Sequence, residues 1–140
     1  VRFVKPEEIF SQQVDVLSPC ALGGALNDQT IPQIKAPIIA GSANNVLLDE
    51  ETHSRLIMER GILYCPDFVI NAGGIINVYH ELIGYNKDRA MADAARIYDR
   101  VLDIFAIAQK EGISTHAAAK VFAKQRIENI KNLRDNYIPR

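Results

Sequence analysis

The strongest constraint on how this chain folds is a recurring pattern, a short apolar run that ends in a loop of small and carboxamide residues. It occurs as Asp15-Val16-Leu17-Ser18-Pro19-Cys20-Ala21-Leu22-Gly23-Gly24, as Ile38-Ile39-Ala40-Gly41-Ser42-Ala43-Asn44-Asn45, and as Val69-Ile70-Asn71-Ala72-Gly73-Gly74. Buried strands followed by such loops are the sequence form of an open α/β sheet, in which ligands bind at the carboxyl ends of the strands. Strand signals fall at residues 2–4, 14–17, 37–40 and 62–65, separated by helical or loop segments, so the spacing predicts parallel strands joined by crossovers.

Between these strands we expect a short helix over 6–13, a helical turn at 30–34 and a longer helix over 49–60 that stops at Gly61. Asp49, Glu50 and Glu51 suit the positive amino end of that helix, while Leu56 and Ile57 face the core. From about residue 67 helix follows helix, with Gly84 and residues 111–114 as breaks. Ile97, Val101, Ile104, Phe105 and Ala108 recur at helical spacing, and Val121, Phe122, Ile127, Ile130 and Leu133 form a second apolar face. Two antiparallel helices would bury both, the second capped by Ser114 or Thr115.

Composition narrows the function classes. An apolar fraction of 48% in 140 residues supports a single core. A formal charge of -1 leaves no sustained positive field to gather nucleic acid. No apolar stretch approaches the roughly 20 residues that cross a bilayer, and no leader-like apolar region opens the chain, so a cytoplasmic protein is expected. Cys20 and Cys65 lack metal-ligand spacing and are expected as reduced thiols; His53, His80 and His116 form no ligand pair, so no metal is expected. His80 and Glu81 read as solvated helix residues, and Cys20 has no basic neighbour to activate it as a nucleophile. The opening Val1-Arg2-Phe3-Val4-Lys5-Pro6-Glu7-Glu8 has no Met and reads as an internal βα unit, so more chain is expected ahead of it.

The loops carry the chemistry. Pro19 ends a strand without donating a ladder bond, and Gly23-Gly24 offer a face without side chains that suits either a flat ligand or an ordinary turn. The Asn44 and Asn45 carboxamides suit an amide or a carboxylate, although adjacent asparagines are also turn formers. In Asn71-Ala72-Gly73-Gly74-Ile75-Ile76-Asn77-Val78, glycines within a helix cost up to about 1 kcal/mol each, so either a ligand or a neighbouring helix approaches closely. Ile75 and Val78, one turn apart, form an apolar wall or a core stripe.

Residues 19–28, 41–45 and 66–78, together with Glu81-Leu82-Ile83-Gly84-Tyr85-Asn86-Lys87, resemble the carboxyl-terminal part of the leucine/phenylalanine/valine dehydrogenases, in the glutamate dehydrogenase superfamily, with leucine dehydrogenase nearest. The resemblance covers nearly the whole chain. It implies the distal half of a Rossmann-like parallel sheet followed by carboxyl-terminal helices: residues 1–84 as the second half of an NAD-binding domain and residues 85–140 as a helical segment packing on it. It implies that Cys20, Ala21 and Leu22 lie along the nicotinamide and its ribose, and that Asn71, Gly73 and Gly74 edge the same site. Asn44, a further cofactor candidate, stands where some relatives carry Asp, while Asn45 would contact cofactor or amino-acid substrate, and Ile75 and Val78 would line the side-chain pocket.

The implied activity is NAD-dependent oxidative deamination of an apolar L-amino acid, leucine-like, to a 2-oxo acid and ammonia, in a homo-oligomer; phenylalanine and tryptophan are alternative substrates. The lysine pair and aspartate of these enzymes belong to a preceding domain with no counterpart here. No Gly-x-Gly-x-x-Gly turn is present either. We therefore expect no catalytic residue in this chain and no activity from it alone. Two other readings stand beside this one, a noncatalytic oligomerisation or binding module and a noncatalytic nucleotide sensor.

Overall fold

The computed structural model describes residues 1–135, the side chains of Leu133, Arg134 and Asp135 excepted. Short strands β1 (Val16–Leu17), β2 (Ile38–Ile39) and β3 (Leu63–Tyr64) form a parallel 3-stranded sheet in the order β1-β2-β3. Leu17 pairs with Ile39 and Ile39 with Tyr64, whereas Val16, Ile38 and Leu63 form the adjacent row. Because side chains alternate across a strand, Leu17, Ile39 and Tyr64 share one buried face, and Val16 and Leu63 on the other face are 46% and 40% exposed.

The strand expected at residues 2–4 does not form. Arg2 and Phe3 are exposed and no described strand lies beside them, so an apolar run has no ladder to join. Pro6–Ser11 winds as a 3-10 helix with Pro6 in its first turn, shorter than the helix expected over 6–13, and Ile31–Gln33 supplies the expected turn.

Helix α1 (Glu50–Glu59) starts where the acids indicated. The Asp49 carboxylate accepts the Thr52 N–H at 2.6 Å, and His53 Nδ1 accepts the Asp49 N–H at 2.8 Å, so the helix start is closed from both sides. Gly61, with φ 69°, ends it. Ile57 and the half-buried Leu56 cover the inner face of the sheet, in a core with Leu26, Ile31 and Ile39.

Beyond β3 the chain is helical: α2 (Asp67–Ile70), α3 (Gly73–Leu82), α4 (Lys87–Ala95), α5 (Ile97–Glu111) and α6 (Thr115–Asp135). Breaks stand at Gly84 and Gly112 as expected, both with positive φ. The second apolar face is half-buried at its start, at Val121 and Phe122, and exposed at Ile127 and Ile130. Ala118 and Ala119 let α5 approach closely through Ile104 and Ala108, and Phe122 packs beside them. Ile127 and Ile130 are 68% and 48% exposed, and the Leu133 side chain lies outside the described residues.

The amino end of α6 is fastened to the sheet layer. Ser114 Oγ donates to Ser54 Oγ at 3.0 Å and accepts the Ala117 N–H at 3.2 Å, while Thr115 Oγ1 donates to the Tyr64 carbonyl at 2.7 Å. Glu50 on α1 meets His116 Nε2 at 3.2 Å and Lys120 Nζ at 2.6 Å, and the Lys120 contact leads in holding its carboxyl below the usual range. His80 is buried rather than solvated, its Nε2 lying 2.9 Å from Asp93 Oδ2 and tying α3 to α4. His53 and His116 are buried too. Helical spacing shows which face a histidine occupies but not which carboxylate comes to meet it.

The loops beyond β1 and β2 are in close contact, and a Cβ on Gly41 would collide with the backbone N, C and O of Pro19. Gly41→Ala is therefore expected to lower the unfolding free energy by about 1–3 kcal/mol in urea denaturation. Gly73→Ala, whose Cβ would meet nothing within 4 Å, is the matched control, expected to be neutral or stabilising by up to about 1 kcal/mol. Ser114→Ala removes both a cap and a buried bond between helices and is expected to cost about 1–2 kcal/mol in the same measurement.

Candidate functional site

Parallel pairing brings the carboxyl ends of β1, β2 and β3 to one edge of the sheet, and the loops that follow them meet there. The Pro19 carbonyl accepts the Ala43 N–H at 3.0 Å, and the Gly24 N–H donates to the Asn45 carbonyl at 2.8 Å. Leu26 and Leu47 continue the join as an isolated parallel bridge. A Cβ on Gly23 would lie 3.0 Å from the Asn45 carbonyl oxygen and 3.1 Å from that of Asn44. Gly23 thus has a reason for being small within the chain itself, since it admits the neighbouring loop.

Asn45 adopts the left-handed region, with φ 51°, as a turn-forming asparagine does. Its carboxamide is exposed and makes no hydrogen bond among the described residues. Asn44 is committed: its Oδ1 accepts from Asn71 Nδ2 at 2.5 Å, with the Ser42 carbonyl 3.5 Å from the same nitrogen. Two of the asparagines singled out from sequence therefore brace each other between the β2 loop and the turn after α2 (Asp67–Ile70), and the third presents free donors and an acceptor.

Cys20 is exposed on the β1 loop, 3.3 Å from Ser18 Oγ. Its thiol is lowered to about 7, first by the Ser18 hydroxyl and then by the hydroxyl and amide of Ser42. Hydroxyl and amide donors, rather than a basic neighbour, stabilise the thiolate. Ala21 and Leu22 are exposed beside it, Leu22 at 81%.

Beneath these loops lies Asp67, which the sequence reading left out of the site. Its Oδ2 accepts the Val46 N–H at 3.1 Å and its Oδ1 accepts the Tyr64 hydroxyl at 3.2 Å. Burial, reinforced by the charge of Asp67, pushes the Tyr64 hydroxyl well above the usual tyrosine range. A signal was present in Tyr64-Cys65-Pro66-Asp67, where an acid follows proline at the end of a buried strand.

Gly73 and Gly74 do not sit inside a helix as expected. A turn at Asn71 and Ala72 separates α2 from α3, and the glycines are the first two residues of α3. A Cβ on either would meet nothing within 4 Å, so tight helix packing within the described chain does not account for them. The α3 start carries no capping side chain and no acid in its first turn, leaving its first N–H groups free to meet a carbonyl or an anion. Ile75 and Val78 lie further along α3, 73% and 54% exposed, so the core-stripe alternative fails for them.

The arrangement offers binding groups and an exposed thiol, and no grouping of His, Cys, Asp and Glu among the described residues could hold an ion. No described helix is long and apolar enough to cross a membrane.

Residues 1–135 match the family model described as Glutamate/Leucine/Phenylalanine/Valine dehydrogenase. The chain is 53% identical to L-tryptophan dehydrogenase of Nostoc punctiforme, over 96% of its own length and 38% of that protein. It is 50% identical to leucine dehydrogenase of Bacillus cereus, over 96% of its length and 37% of that enzyme. Among solved structures, that of the Nostoc punctiforme L-tryptophan dehydrogenase superposes with a TM-score of 0.88, covering 90% of this chain and 38% of the other. A hetero-hexameric glutamate dehydrogenase from Thermus thermophilus superposes with a TM-score of 0.71 at 25% identity, over 97% of this chain and 34% of the other. The chain therefore spans little more than a third of the length of the relatives it matches, and their similar identities do not separate tryptophan from leucine as substrate. By the match over residues 1–135, the chain belongs to the glutamate/leucine/phenylalanine/valine dehydrogenase family.

Proposed function

We propose that the chain is the carboxyl-terminal part of an NAD-dependent amino-acid dehydrogenase, acting on an apolar L-amino acid and yielding a 2-oxo acid and ammonia. Residues 1–84 would complete a Rossmann-like nucleotide domain, and residues 85–140 would pack on it as a helical segment. The observation that carries this reading is the loop cluster at the carboxyl edge of a parallel sheet, where Asn45 presents an exposed, unpaired carboxamide. Ligands of open α/β sheets bind at such an edge.

NAD, when bound, supplies the acceptor for hydride from the substrate α-carbon. Cys20, Ala21 and Leu22 would line its nicotinamide and ribose, and Gly73 and Gly74 leave open space at the free end of α3. Asn71 braces Asn44, and through it the turn that presents Asn45 to the nicotinamide amide or the substrate carboxylate. Ile75 and Val78 would form one apolar wall for the substrate side chain, which favours a leucine-like residue and also admits phenylalanine or tryptophan. Hydride transfer needs both reactants held in a dry cleft beside an acid–base group, so the opposite wall and that group would come from the rest of the parent.

A cytoplasmic homo-oligomer is the assembly this reading favours; the Thermus thermophilus relative is described as hetero-hexameric. The second reading, a noncatalytic self-pairing module, rests on the unpaired edge of β1 and the open outer row of Val16, Ile38 and Leu63.

The decisive assay combines 4-methyl-2-oxopentanoate, ammonium and NADH with the 140-residue chain and, separately, with the parent extended in frame. The chain alone is expected to be inert and the extended protein to consume NADH. Turnover by the chain alone would overturn the fragment reading, and an extended protein inert with this 2-oxo acid and with phenylpyruvate and indole-3-pyruvate in its place would overturn the enzyme reading. Cys20 provides a check on the site: alkylation by iodoacetamide is expected to rise through a midpoint near pH 7, where the thiol becomes thiolate. In the extended protein NADH should slow that alkylation, and unaltered rates would remove Cys20 from the cofactor site.

A further inference from the structure

A cavity of about 640 Å³ lies between α2, α3, α5 and α6; it borders the α2–α3 turn at Ala72 but is lined by none of Asn44, Asn45, Asn71, Gly73 and Gly74. Its volume falls in the range that holds small organic ligands, roughly 300–1,000 Å³. The floor is apolar, formed by Phe68, Ala72, Ile76, Ile104 and Phe122. Of the residues assigned above to cofactor and substrate, Ile75 alone touches it.

Its polar lining is lopsided in charge. Arg96, Arg100 and Arg126 face the cavity, with Asp93 as the single carboxylate among its lining residues. Asp93 is already engaged, by His80 Nε2 at 2.9 Å on one oxygen and by Arg96 at 3.4 Å on the other. Arg100, half-buried, and Arg126 have no acidic partner among the described residues. Two unpaired guanidinium groups beside an apolar floor make a concave site with an unmatched positive head region.

We propose that this cavity binds an amphipathic carboxylate, its anionic head on Arg100 and Arg126 and its apolar body on the floor between Phe68 and Phe122. A guanidinium matches a carboxylate with paired hydrogen bonds. The apolar floor disfavours a hydrated polyanion, which would lose water without gaining partners there. Asn45 is not among its lining residues, so occupancy there is separable from binding at the loop cluster, and the inference does not depend on the dehydrogenase reading.

Calorimetric titration of the chain with 3-phenylpropanoate, and with 3-phenylpropanamide as the uncharged isostere, tests it. The carboxylate is expected to bind, and the amide at least tenfold more weakly. Combining Arg100→Gln with Arg126→Gln should weaken the carboxylate at least tenfold, while Asn45→Ala should leave it within twofold, each variant keeping its native circular dichroism. Absence of binding, equal binding of the amide, or loss through Asn45→Ala rather than through the arginines would each overturn the proposal. The same titration on the in-frame extended parent is expected to give the same selectivity; a parent that excludes the probe would mean that its own polypeptide fills the cavity, and the proposal would fall.

Discussion

The Asp67 carboxylate is the interaction on which the geometry of the sheet edge depends. Buried and doubly hydrogen-bonded, it joins Tyr64 at the end of β3 to Val46 just beyond the Asn44-Asn45 turn. Its own carbonyl accepts the Asn71 N–H at 2.9 Å, so Asn71 is held to the same residue that anchors the facing loop. Val46 in turn accepts from Leu26 and carries the β1 loop with it. A buried carboxylate is tolerable only where donors meet it, and here one donor comes from the loop beyond β2 and the other from β3 itself. The relative placement of Asn44, Asn45, Asn71 and Gly24 follows from that requirement.

Much of this architecture was legible because the signals are local. Asp49 ahead of an apolar-periodic stretch, Gly61 and Gly112 after the last helical residue, and apolar runs at parallel-sheet spacing each specify their own neighbourhood. What escaped needed a partner distant in sequence. Phe3 lies in a strand-like run with nothing to pair against, His80 is buried by Asp93 on the next helix, and Asp67 is explained by a backbone amide of another loop. Gly73 and Gly74 were visible as anomalies, but a turn two residues earlier moved them from the inside of a helix to its start. Ile127 and Ile130 kept helical spacing without burial, because periodicity reports which side of a helix a residue occupies and not whether anything lies there.

The family relationship and the local geometry inform different scales. Identities of 53% and 50% to enzymes with different named substrates extend over the residues that build the loop cluster, so the scaffold is shared where the substrates differ. On this chain Ile75 and Val78, the side chains proposed above to meet a substrate, are open to solvent. An apolar wall discriminates by size only when a facing wall closes the volume, since a missing or added methylene is worth about 1–3 kcal/mol within a closed pocket. Under that proposal, selectivity would be a property of two surfaces brought together.

The fastening of α6 at one end has a mechanical meaning. Ser114, Thr115, His116 and Lys120 carry its bonds to α1 and β3, all within the first turns, while residues 123–132 are exposed. From Lys120 to Asp135 the helix extends about 22 Å at a rise of 1.5 Å per residue. A rotation of about 5° at the anchored end would carry the far end through roughly 2 Å. The helix has the geometry of a lever with its fulcrum at the carbonyl of Tyr64, next to the strand end from which the Asp67 network starts, and a small rotation there would be magnified into displacement at a distant surface.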